Sequence, residues 1–521
     1  MPENTLIAVP VIRSVPPPAE QVEAAVRAGA DLVELRVDGL NDISAVETLL
    51  GGPRRLPMIV TVRAAGEGGA WRGSEHDRIA LLLHLARLHP DYIDVELATW
   101  EQSAEIRQSL APARHAETGG GVATRLIISH HDFHETPNDL TSLFARLEAA
   151  PADVIKAVFM PRDALDALRL LAEMRRLNRA GRRAVVFGLG EAGLLTRILA
   201  KKFGSFLTFA ALEAGAESAS GQPTIADLRE LYRWDAVDER TRLFGVVGWP
   251  VAHSRGPRLH NAVMAAEGID GVYLPLPVCP TYEALAAFLD YVADADWLDC
   301  AGFSVTLPHK EHARRWLVER GGALDDRAAR AGAVNTLFRD AAGDWRGANT
   351  DAAGALAALQ SVPELAGDGL HGQSVDILGA GGVAHAAAAV LAEHRCRIMV
   401  YNRAPERAAE LARCCDGAWQ PWDRREAGTG RILINCTSVG MVPDVDATPI
   451  SAARCGPDTI VFDTVYQPAE TRLLREAQAR GSRVINGVTL FIAQAAEQIR
   501  IWHGLEADPW RIKRFGNLFD G

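Results

Sequence analysis

Residues 374–403 read SVDILGAGGVAHAAAAVLAEHRCRIMVYNR. An apolar run leads into a glycine-rich turn at residues 379–384, an alanine-rich segment follows, and a second apolar run ends at Tyr401. This order predicts a strand, a tight turn, a helix and a second strand. Small residues in such a turn let the backbone approach a pyrophosphate, whose charge the N–H groups of the following helix attract. The stretch therefore predicts a dinucleotide-binding βαβ unit of the Rossmann type.

The end of the second strand indicates which dinucleotide this unit takes. Arg403 and Arg407 stand where an NAD enzyme places an acidic residue for the ribose hydroxyls. A basic pair suits a 2′-phosphate, so NADP(H) is favoured over NAD. The alternative is a pair of solvated arginines at the start of a helix.

Upstream, residues 1–236 alternate short β-branched runs with longer helical patterns. Eight strands in roughly 250 residues is the rhythm of a closed parallel barrel, so a (β/α)₈ TIM barrel is predicted. A polar stretch at residues 235–241 precedes a new strand and indicates a domain boundary. The predicted strands are 6–11, 32–38, 58–63, 92–97, 125–131, 154–160, 183–190 and 204–212.

Polar side chains fall toward the ends of several of these strands, while Lys156 lies within the sixth strand and Arg197 follows the seventh. In a (β/α)₈ barrel the carboxyl ends of all strands share one face, where active sites are built. Any one of these residues alone is more often a surface ion pair. Their convergence favours a functional site instead. The residues concerned are Glu34, Arg36, Arg63, Glu96, His131, Lys156 and Arg197.

Lys156 lies within VIKAV, whose apolar neighbours would remove water from an ammonium group and lower its pKa. Such a lysine attacks ketones and forms an imine, which acidifies the neighbouring C–H bond. His131 is a candidate base for that proton, and Glu96 a candidate group that orients the histidine. The arginines would bind a carboxylate through paired hydrogen bonds. From the residues alone, the site is an imine-forming lyase or aldolase acting on a hydroxylated keto acid.

The segments VELRVD, TVRAAGEGG, YIDVEL, SHHDFHETP, VIKAVFMP and SASGQ resemble the type I 3-dehydroquinate dehydratases over nearly the whole first half. The resemblance implies a Schiff base on Lys156, acid–base catalysis by His131 and assistance from Glu96. Ser220 stands where the family usually has proline, which could loosen the loop over the substrate. The implied substrate contacts are Glu34, Arg36, Arg63, Arg197, Ser218 and Gln222.

The second half also contains three candidate polar residues, Lys310, Asn335 and Asp351. A lysine–aspartate pair could deliver a proton to a carbonyl oxygen while the nicotinamide supplies hydride. With GWPVAHSRGPRLHN, INCTSVGM and FDTVYQPAETRLL, these segments resemble shikimate dehydrogenase. The resemblance implies Lys310 and Asp351 as the catalytic pair. The implied substrate contacts are Ser254, Gly256, Thr306, Asn335, Tyr466 and Gln494, and the predicted cofactor contacts are Gly379, Ala380, Gly381, Gly382, Val383, Ala384, Asn402, Arg403, Arg407 and Thr437.

Two positions depart from the dehydrogenase pattern. Gly256 replaces the second serine of the usual SxSP motif, which removes one hydroxyl donor and opens space that suits quinate, while Thr306 remains as in shikimate enzymes. Ala404 replaces a threonine that often follows the Asn402–Arg403 pair, which removes one possible phosphate contact. A dehydratase fused to a quinate or dual quinate/shikimate dehydrogenase therefore remains an alternative.

Composition limits the other function classes. The net charge of −11 argues against a broad phosphate-binding surface, so nucleic acid is not an expected partner. The seven cysteines show no CxxC spacing, so no metal is expected and a reducing cytoplasm fits. The N-terminus, MPENTLIAVPVI, lacks the features of a signal peptide, and no apolar run reaches about 18 residues, so no membrane association is expected.

The order of the two halves resembles bifunctional enzymes that dehydrate 3-dehydroquinate to 3-dehydroshikimate and reduce that product with NADPH to shikimate. A metabolite-sensing regulator without catalysis is the rival from another class. The presence of Lys156, His131, Lys310 and Asp351 argues against it. The predicted domains are a dehydratase barrel at 1–236, a substrate-binding domain at 241–352, a cofactor-binding domain at 353–486, and a C-terminal helical return at 487–521.

Overall fold

The computed structural model describes residues 5–113 and 124–506. The chain forms two compact units, residues 1–242 with 270–279 and residues 243–269 with 280–521. Within the described residues, none of the helices combines the length and the apolar character needed to cross a membrane.

The first unit contains an all-parallel sheet of eight strands, each of which falls on a predicted run. The sheet has the order β7-β6-β5-β4-β3-β2-β1-β8, and the Phe206 N–H donates to the Ala184 carbonyl at 2.8 Å between its two ends. The predicted barrel is therefore confirmed. The strands are β1 Leu6–Val11, β2 Leu32–Arg36, β3 Met58–Thr61, β4 Tyr92–Glu96, β5 Arg125–His131, β6 Val154–Phe159, β7 Ala184–Gly188 and β8 Leu207–Phe209.

Helices follow the strands in the order that the alternating pattern predicts. The longest described helix of the barrel, α7, begins after Asp163, whose side chain accepts the N–H groups of Leu165 and Asp166. It ends at Arg179, two residues before Gly181, which has a positive φ of 71°. The barrel helices are α1 Pro18–Ala28, α2 Ile43–Gly51, α3 Glu75–Ala86, α4 Leu97–Gln102, α5 Ala104–Ala113, α6 Thr141–Ala149, α7 Ala164–Arg179 and α8 Gly190–Ile198.

An apolar layer closes the interior of the barrel. Each strand contributes one buried residue to it, because alternate side chains of a strand point to the same face. This layer supports the residues two positions further along each strand, which build the site described below. The layer consists of Ala8, Leu32, Ile59, Tyr92, Ile127, Val154, Val185 and Leu207.

A mixed six-stranded sheet follows, with the order β10-β9-β11-β13-β14-β12. Strands β9 and β11 are parallel, whereas β13 is antiparallel to both β11 and β14. Its strands are β9 Arg242–Gly248, β10 Gly271–Pro277, β11 Cys300–Val305, β12 Ala323–Leu324, β13 Thr336–Arg339 and β14 Trp345–Ala348. The helices of this region are α9 Gly256–Ala266, α10 Tyr282–Asp294, α11 Lys310–Glu319, α12 Asp326–Ala331 and α13 Thr350–Gln360.

The third sheet is parallel throughout and has the order β17-β16-β15-β18-β19-β20. Counted from its first strand this is 3-2-1-4-5-6, the strand order of the Rossmann fold, so the prediction from residues 374–403 is confirmed. The strands are β15 Ser374–Leu378, β16 Arg397–Asn402, β17 Ala418–Pro421, β18 Ile432–Asn435, β19 Ile460–Asp463 and β20 Arg483–Ile485, and the helices are α14 Gly382–Glu393, α15 Pro405–Cys414 and α16 Arg472–Ala479.

The last described helix, α17 Gly487–His503, returns to the mixed sheet. Its Gln498 accepts from Ser304 of β11 at 2.9 Å and donates to Thr336 of β13 at 3.0 Å. It also packs closely on α13, because a side chain at Gly354 would lie 3.0 Å from the Leu490 carbonyl. Residues 507–521 of the predicted helical return lie outside the described residues.

Candidate active sites

Lys156 lies inside the barrel, two residues beyond the apolar layer, with 6% of its side chain exposed. Its Nζ is 3.0 Å from Asp94 Oδ2 and 3.3 Å from Glu34 Oε1, and 4.8 Å from the centre of the Phe209 ring. The sequence predicts apolar surroundings for this ammonium group from its neighbours along the chain. The structure adds two carboxylates from strands β4 and β2.

Arg63 and Arg78 form ion pairs with Asp94 and Glu96 inside the barrel. Arg63 forms ion pairs with Asp94 at 2.8 Å and with Glu96 at 3.1 Å, and Arg78 donates to the second oxygen of Glu96 at 2.9 Å. Burial alone would raise the pKa of Asp94, but Arg63 and Lys156 outweigh it and hold the pKa well below its ordinary value. Asp94 and Glu96 are therefore each paired with two cationic side chains.

His131 ends β5, and its partner is Glu67 rather than the predicted Glu96. Glu67 Oε2 is 2.9 Å from His131 Nδ1 and accepts the His131 backbone N–H at 3.0 Å. Both oxygens of Glu96 are already taken by Arg63 and Arg78. The described contacts of Glu96 are with Arg63, Arg78 and the Ala64 N–H, so its assistance to His131 stays a prediction.

The surroundings shift the pKa values of Glu67 and His131 in opposite directions. Burial raises the pKa of Glu67 to about 7, although Arg63 opposes that rise. Burial, together with Arg63 and Lys156, lowers the pKa of His131 well below its ordinary value of 6.5. The Glu67 carboxyl therefore changes its protonation state near neutral pH, beside an imidazole whose neutral form is favoured. A neutral imidazole can take a proton from a bound molecule.

Arg197, in α8, is a buried guanidinium that lacks a carboxylate. Its residue is 1% exposed, its Nε and Nη2 have no hydrogen-bond partner among the described residues, and Nη1 is 3.5 Å from the Phe209 carbonyl. The Phe187 ring centre lies 4.2 Å from the guanidinium, and burial lowers the pKa of Arg197 to about 9. A buried cation with unused donors is arranged to receive an anion.

The loop after β8 holds Ser218 and Gln222 together. Gln222 Oε1 accepts from the backbone N–H and the hydroxyl of Ser218, at 2.7 and 2.9 Å, while the buried Gln222 Nε2 has no partner among the described residues. The Ser220 carbonyl accepts the Gly190 N–H at 2.9 Å, so this loop is attached to the start of α8 without a proline at position 220. Arg36 lies at the end of β2, with a two-pronged contact to Asp38 at 3.0 Å.

The second unit brings Lys310 and Asp351 together from the starts of α11 and α13. Their Nζ and Oδ2 atoms are 2.5 Å apart, although 41 positions separate them. Asn335 connects the two helix starts, because its side chain bonds Thr350 through both amide ends and the Val334 N–H donates to the Lys310 carbonyl at 3.0 Å. The pair is largely buried and chemically able to transfer a proton to a neighbouring oxygen.

The other predicted substrate contacts of this unit come from several elements. Ser254 Oγ accepts the Gly256 N–H at 3.1 Å, and Gly256 is buried as the first residue of α9. Tyr466 stacks on Phe491 with ring centres 5.1 Å apart. In addition, Gln494 Oε1 lies 3.3 Å from the Thr350 hydroxyl, and the Thr306 N–H donates to the Val247 carbonyl at 2.9 Å.

The glycine-rich turn has the geometry of an anion cradle. Gly379 has a φ of 106°, and a side chain there would lie 3.0 Å from the Cys436 carbonyl, so only glycine fits. No side chain caps the start of α14, and a Cβ at Gly381 would meet no atom within 4 Å. Ala380, Val383 and Ala384 complete this turn and the first turn of the helix.

The strand next to this turn presents the predicted basic pair. Arg403 and Arg407 are exposed and form no ion pair with a described residue, while Asn402 donates to the Ala404 carbonyl at 3.0 Å. Thr437 follows β18, where its hydroxyl donates to Asn435 at 2.7 Å. These residues fit a dinucleotide with an additional phosphate, because uncapped N–H groups and unpaired guanidinium groups both attract anions.

A lysine-centred charge network in a TIM barrel, joined to a Rossmann sheet with a lysine–aspartate pair beside it, defines the class. The chain is a two-part enzyme with a lyase half and a dehydrogenase half. Among the described residues, no cluster of three or more histidine, cysteine, aspartate or glutamate side chains could hold a metal ion.

Comparison with known proteins gives the particular family. Residues 7–239 match the type I 3-dehydroquinase family, 246–337 the shikimate dehydrogenase substrate binding domain, and 362–426 the shikimate / quinate 5-dehydrogenase family. The chain is 36% identical over 504 residues to the chloroplastic bifunctional 3-dehydroquinate dehydratase/shikimate dehydrogenase of Arabidopsis thaliana, covering 93% of this chain and 80% of that protein. It belongs to this bifunctional family.

Two further relatives correspond to the dehydrogenase half. The shikimate dehydrogenase (NADP(+)) of Rhodospirillum rubrum is 41% identical over 279 residues, and that of Shouchella clausii is 39% identical over 269 residues. Each alignment covers 51% of this chain, and 93% and 94% of the respective relatives.

Proposed function

We propose that the chain catalyses two consecutive reactions: the dehydration of 3-dehydroquinate to 3-dehydroshikimate in the barrel, and the NADPH-dependent reduction of 3-dehydroshikimate to shikimate in the second unit. The observation that carries this proposal is the buried Lys156 beside an acid–base pair, in a chain that also holds the Lys310–Asp351 pair. Each unit then has its own complete set of reactive groups.

In the barrel, the deprotonated amine of Lys156 attacks the ketone of the substrate, and the carbonyl oxygen leaves as water. The cationic imine withdraws electrons from the adjacent carbon, so His131 can remove a proton there. The same histidine returns that proton to the departing C1 hydroxyl, which leaves as water. Hydrolysis of the imine consumes one water and frees Lys156, so the net change is the loss of one water.

Arg197 would bind the substrate carboxylate through its two unpartnered donors, which explains why a buried cation lacks a protein anion. Gln222 Nε2 and Ser218 would bind ring hydroxyls from the loop after β8. Glu34, Arg36, Arg63 and Glu96 complete the predicted surroundings of the substrate, and Glu67 joins them as the partner of His131.

In the second unit, Lys310 would donate a proton to the substrate oxygen and Asp351 would hold the lysine in place and return its proton. NADPH, when bound, supplies the hydride. The uncapped turn at 379–384 would hold its pyrophosphate, and Asn402, Arg403 and Arg407 its 2′-phosphate. Ser254, Thr306, Asn335, Tyr466 and Gln494 would contact shikimate.

This division assigns the barrel to residues 1–236, substrate binding to 241–352 and cofactor binding to 353–486, with 487–521 returning to the substrate domain. A cytoplasmic location is part of the proposal, since all seven cysteines are free thiols.

The direct test supplies 3-dehydroquinate to the purified chain with and without NADPH. We expect 3-dehydroshikimate to accumulate without NADPH and shikimate to form with it, one NADPH being consumed per product. Lys156→Ala should stop both conversions from 3-dehydroquinate yet still reduce added 3-dehydroshikimate. Reduction lost together with dehydration in a folded variant would contradict separate sites.

A second candidate for the dehydrogenase substrate is quinate, and Gly256 favours it. Position 256 opens α9 without a hydroxyl, which leaves room for the tertiary hydroxyl that distinguishes quinate from shikimate. Oxidation of quinate would give 3-dehydroquinate, the proposed substrate of the barrel. Steady-state rates with shikimate and quinate, each with NADP and NAD, distinguish the candidates, and a rate with quinate below detection would exclude it.

A further inference from the structure

Glu67 reaches His131 from a loop, not from a strand. It lies in the segment 62–70, which follows β3 and contains a single 3₁₀ turn, Ala65–Glu67, and a positive φ of 76° at Gly68. Inside this segment, Glu67 and Gly69 both donate their N–H groups to the Ala64 carbonyl at 3.0 Å. These bonds shape the turn but do not attach it to the barrel. Other residues must fix the position of the Glu67 carboxylate.

Asp38 attaches this segment at both ends. Its Oδ1 accepts the Arg63 N–H at 3.1 Å, and its Oδ2 accepts the Ala70 N–H at 2.9 Å. The carboxylate is 1% exposed and is itself held by Arg36, through Nε and Nη2 at 3.0 Å each. One buried side chain therefore closes the loop that carries Glu67.

Two further contacts attach the beginning of the segment only. Arg78 Nη1 donates to the Val62 carbonyl at 2.6 Å, and Glu96 Oε1 accepts the Ala64 N–H at 2.9 Å. Among these contacts, the bond from Ala70 to Asp38 alone holds the segment beyond Glu67. No hydrogen bond or ion pair joins Asp38 to Lys156 or His131 among the described residues, so a substitution at Asp38 removes no direct partner of either group. It does weaken the hold on Arg36, which lies in the predicted surroundings of the substrate.

We propose that Asp38 is a positioning residue for the dehydration, which keeps the Glu67 carboxylate against His131 by holding both ends of the segment 62–70. The proposal rests on the acid–base role assigned above to the Glu67–His131 pair. Small displacements at such a pair are costly, since a misplacement of about 1 Å can reduce a rate on the order of a hundredfold.

Asparagine at position 38 would weaken this attachment with little change in shape. Its amide has one acceptor oxygen and one NH₂ group, so it can accept from Arg63 or from Ala70 but would face the other N–H with a donor. Loss of the Ala70 contact would let water reach Glu67. The charged groups around Glu67 are His131, Arg63, Glu96 and Asp94.

The direction of the pH effect follows from burial. Burial is the main cause that raises the pKa of Glu67 to about 7, from an ordinary value of 4.5. Hydration of a loosened segment lowers this pKa toward the ordinary value. The acidic side of the pH profile of kcat for dehydration should then move to lower pH. A general loss of stability would not produce this effect.

Asp91→Asn is the matched control, because Asp91 makes the same kind of contact at the opposite end of β3. Its Oδ2 accepts the Met58 N–H at 2.9 Å and lies 3.1 Å from Arg54 Nη1. We expect this variant to lower the melting temperature while kcat and the pH midpoint of dehydration stay unchanged.

The experiment measures kcat for 3-dehydroquinate dehydration against pH in Asp38→Asn, Asp91→Asn and Glu67→Gln. In the same samples, shikimate oxidation and the melting temperature report on folding, and borohydride trapping on imine formation. For Asp38→Asn we expect kcat for dehydration to fall by about tenfold to a hundredfold and the midpoint of its pH profile to move to lower pH. Borohydride should still trap the imine, and shikimate oxidation should be unchanged. If Asp38→Asn does not fold, Asp38→Glu keeps the charge beside Arg36 and tests the geometry alone.

The positioning role would be overturned if Glu67→Gln loses activity while the folded Asp38 variant keeps the wild-type kcat and pH midpoint of dehydration. A loss without any movement of the midpoint, in proportion to a fall in melting temperature, would overturn it as well. If Glu67→Gln itself dehydrates normally, the failure lies in the proposed role of Glu67 and not in its attachment.

Discussion

The Glu67→Gln substitution tests the acid–base pair with almost no change in volume. In the native enzyme, Glu67 Oε2 accepts two hydrogen bonds from His131, one from the backbone and one at Nδ1. The glutamine oxygen can accept both of them, but the negative charge that stabilises a protonated imidazole is lost. Hydrogen bonds to charged groups contribute about 1.5 to 3 kcal/mol. Since about 1.4 kcal/mol corresponds to tenfold, kcat for dehydration should fall about tenfold to a hundredfold.

Glu67→Gln should also change how the rate of dehydration depends on pH. Burial raises the pKa of Glu67 to about 7, so below that pH the protonated carboxyl donates to His131 Nδ1 and leaves the far nitrogen protonated and unable to act as a base. Wild-type activity should therefore rise with pH through a midpoint near 7. Glutamine cannot ionise, so this rise should be absent from the variant.

The assay follows 3-dehydroshikimate formation under saturating 3-dehydroquinate from acid to neutral pH, with shikimate oxidation in the same preparations as a control for folding. His131→Ala serves as the lower limit, with an expected loss of about 10² to 10⁴-fold. A Glu67→Gln enzyme with wild-type kcat and the same pH midpoint would refute the assignment of Glu67 as the partner of His131.

Three further substitutions separate the remaining groups. Arg197→Met should raise KM for 3-dehydroquinate on the order of tenfold or more, because the substrate carboxylate loses its charged partner. It should also raise the melting temperature, because a buried unpaired cation is removed. An unchanged KM would exclude carboxylate binding by Arg197. Lys310→Ala should suppress shikimate oxidation and leave dehydration intact, and loss of both in a folded protein would contradict independent sites. Gly256→Ser should shift the ratio of kcat/KM values toward shikimate by about tenfold to a hundredfold if one charged hydrogen bond forms. Gly256 opens α9 and is not among the glycines with a positive φ. An unchanged ratio in the folded variant would make this position neutral.

The eight barrel strands and the Rossmann unit are predictable from local patterns. Most of the barrel strands are short apolar runs buried on both faces, as in β6, where all six residues are buried. Such runs between turn residues leave few alternatives, and the glycine turn at 379–384 adds a local signal of its own.

The partners inside the barrel are not readable in the same way. Apolar neighbours along the chain suggest that Lys156 is surrounded by hydrophobic groups, yet Asp94 and Glu34 reach it from other strands. In the sheet, Ser129 of β5 pairs with Lys156 of β6 and with Glu96 of β4, and its hydroxyl donates to Asp94. This register results from pairings across the sheet, which a linear pattern does not reveal.

Glu67 was missed for a related reason. Attention to strand ends favours Glu96, the last residue of β4, whereas Glu67 lies four positions beyond Arg63 in a loop. The available signal was the sequence GEGG, in which a carboxylate stands among glycines on the face that carries the site. The choice between the two carboxylates depends on Arg63 and Arg78, which occupy both oxygens of Glu96.

Imine formation on Lys156 is the claim on which the first reaction depends, and borohydride reduction tests it most directly. Treatment of the chain with borohydride in the presence of 3-dehydroquinate or 3-dehydroshikimate should give a covalent adduct, which peptide mapping by mass spectrometry should place on Lys156 and which Lys156→Ala should lack. Dehydration should be lost in proportion to the modified fraction, with shikimate oxidation unaffected. An adduct on another lysine, or normal dehydration by Lys156→Ala, would contradict the account.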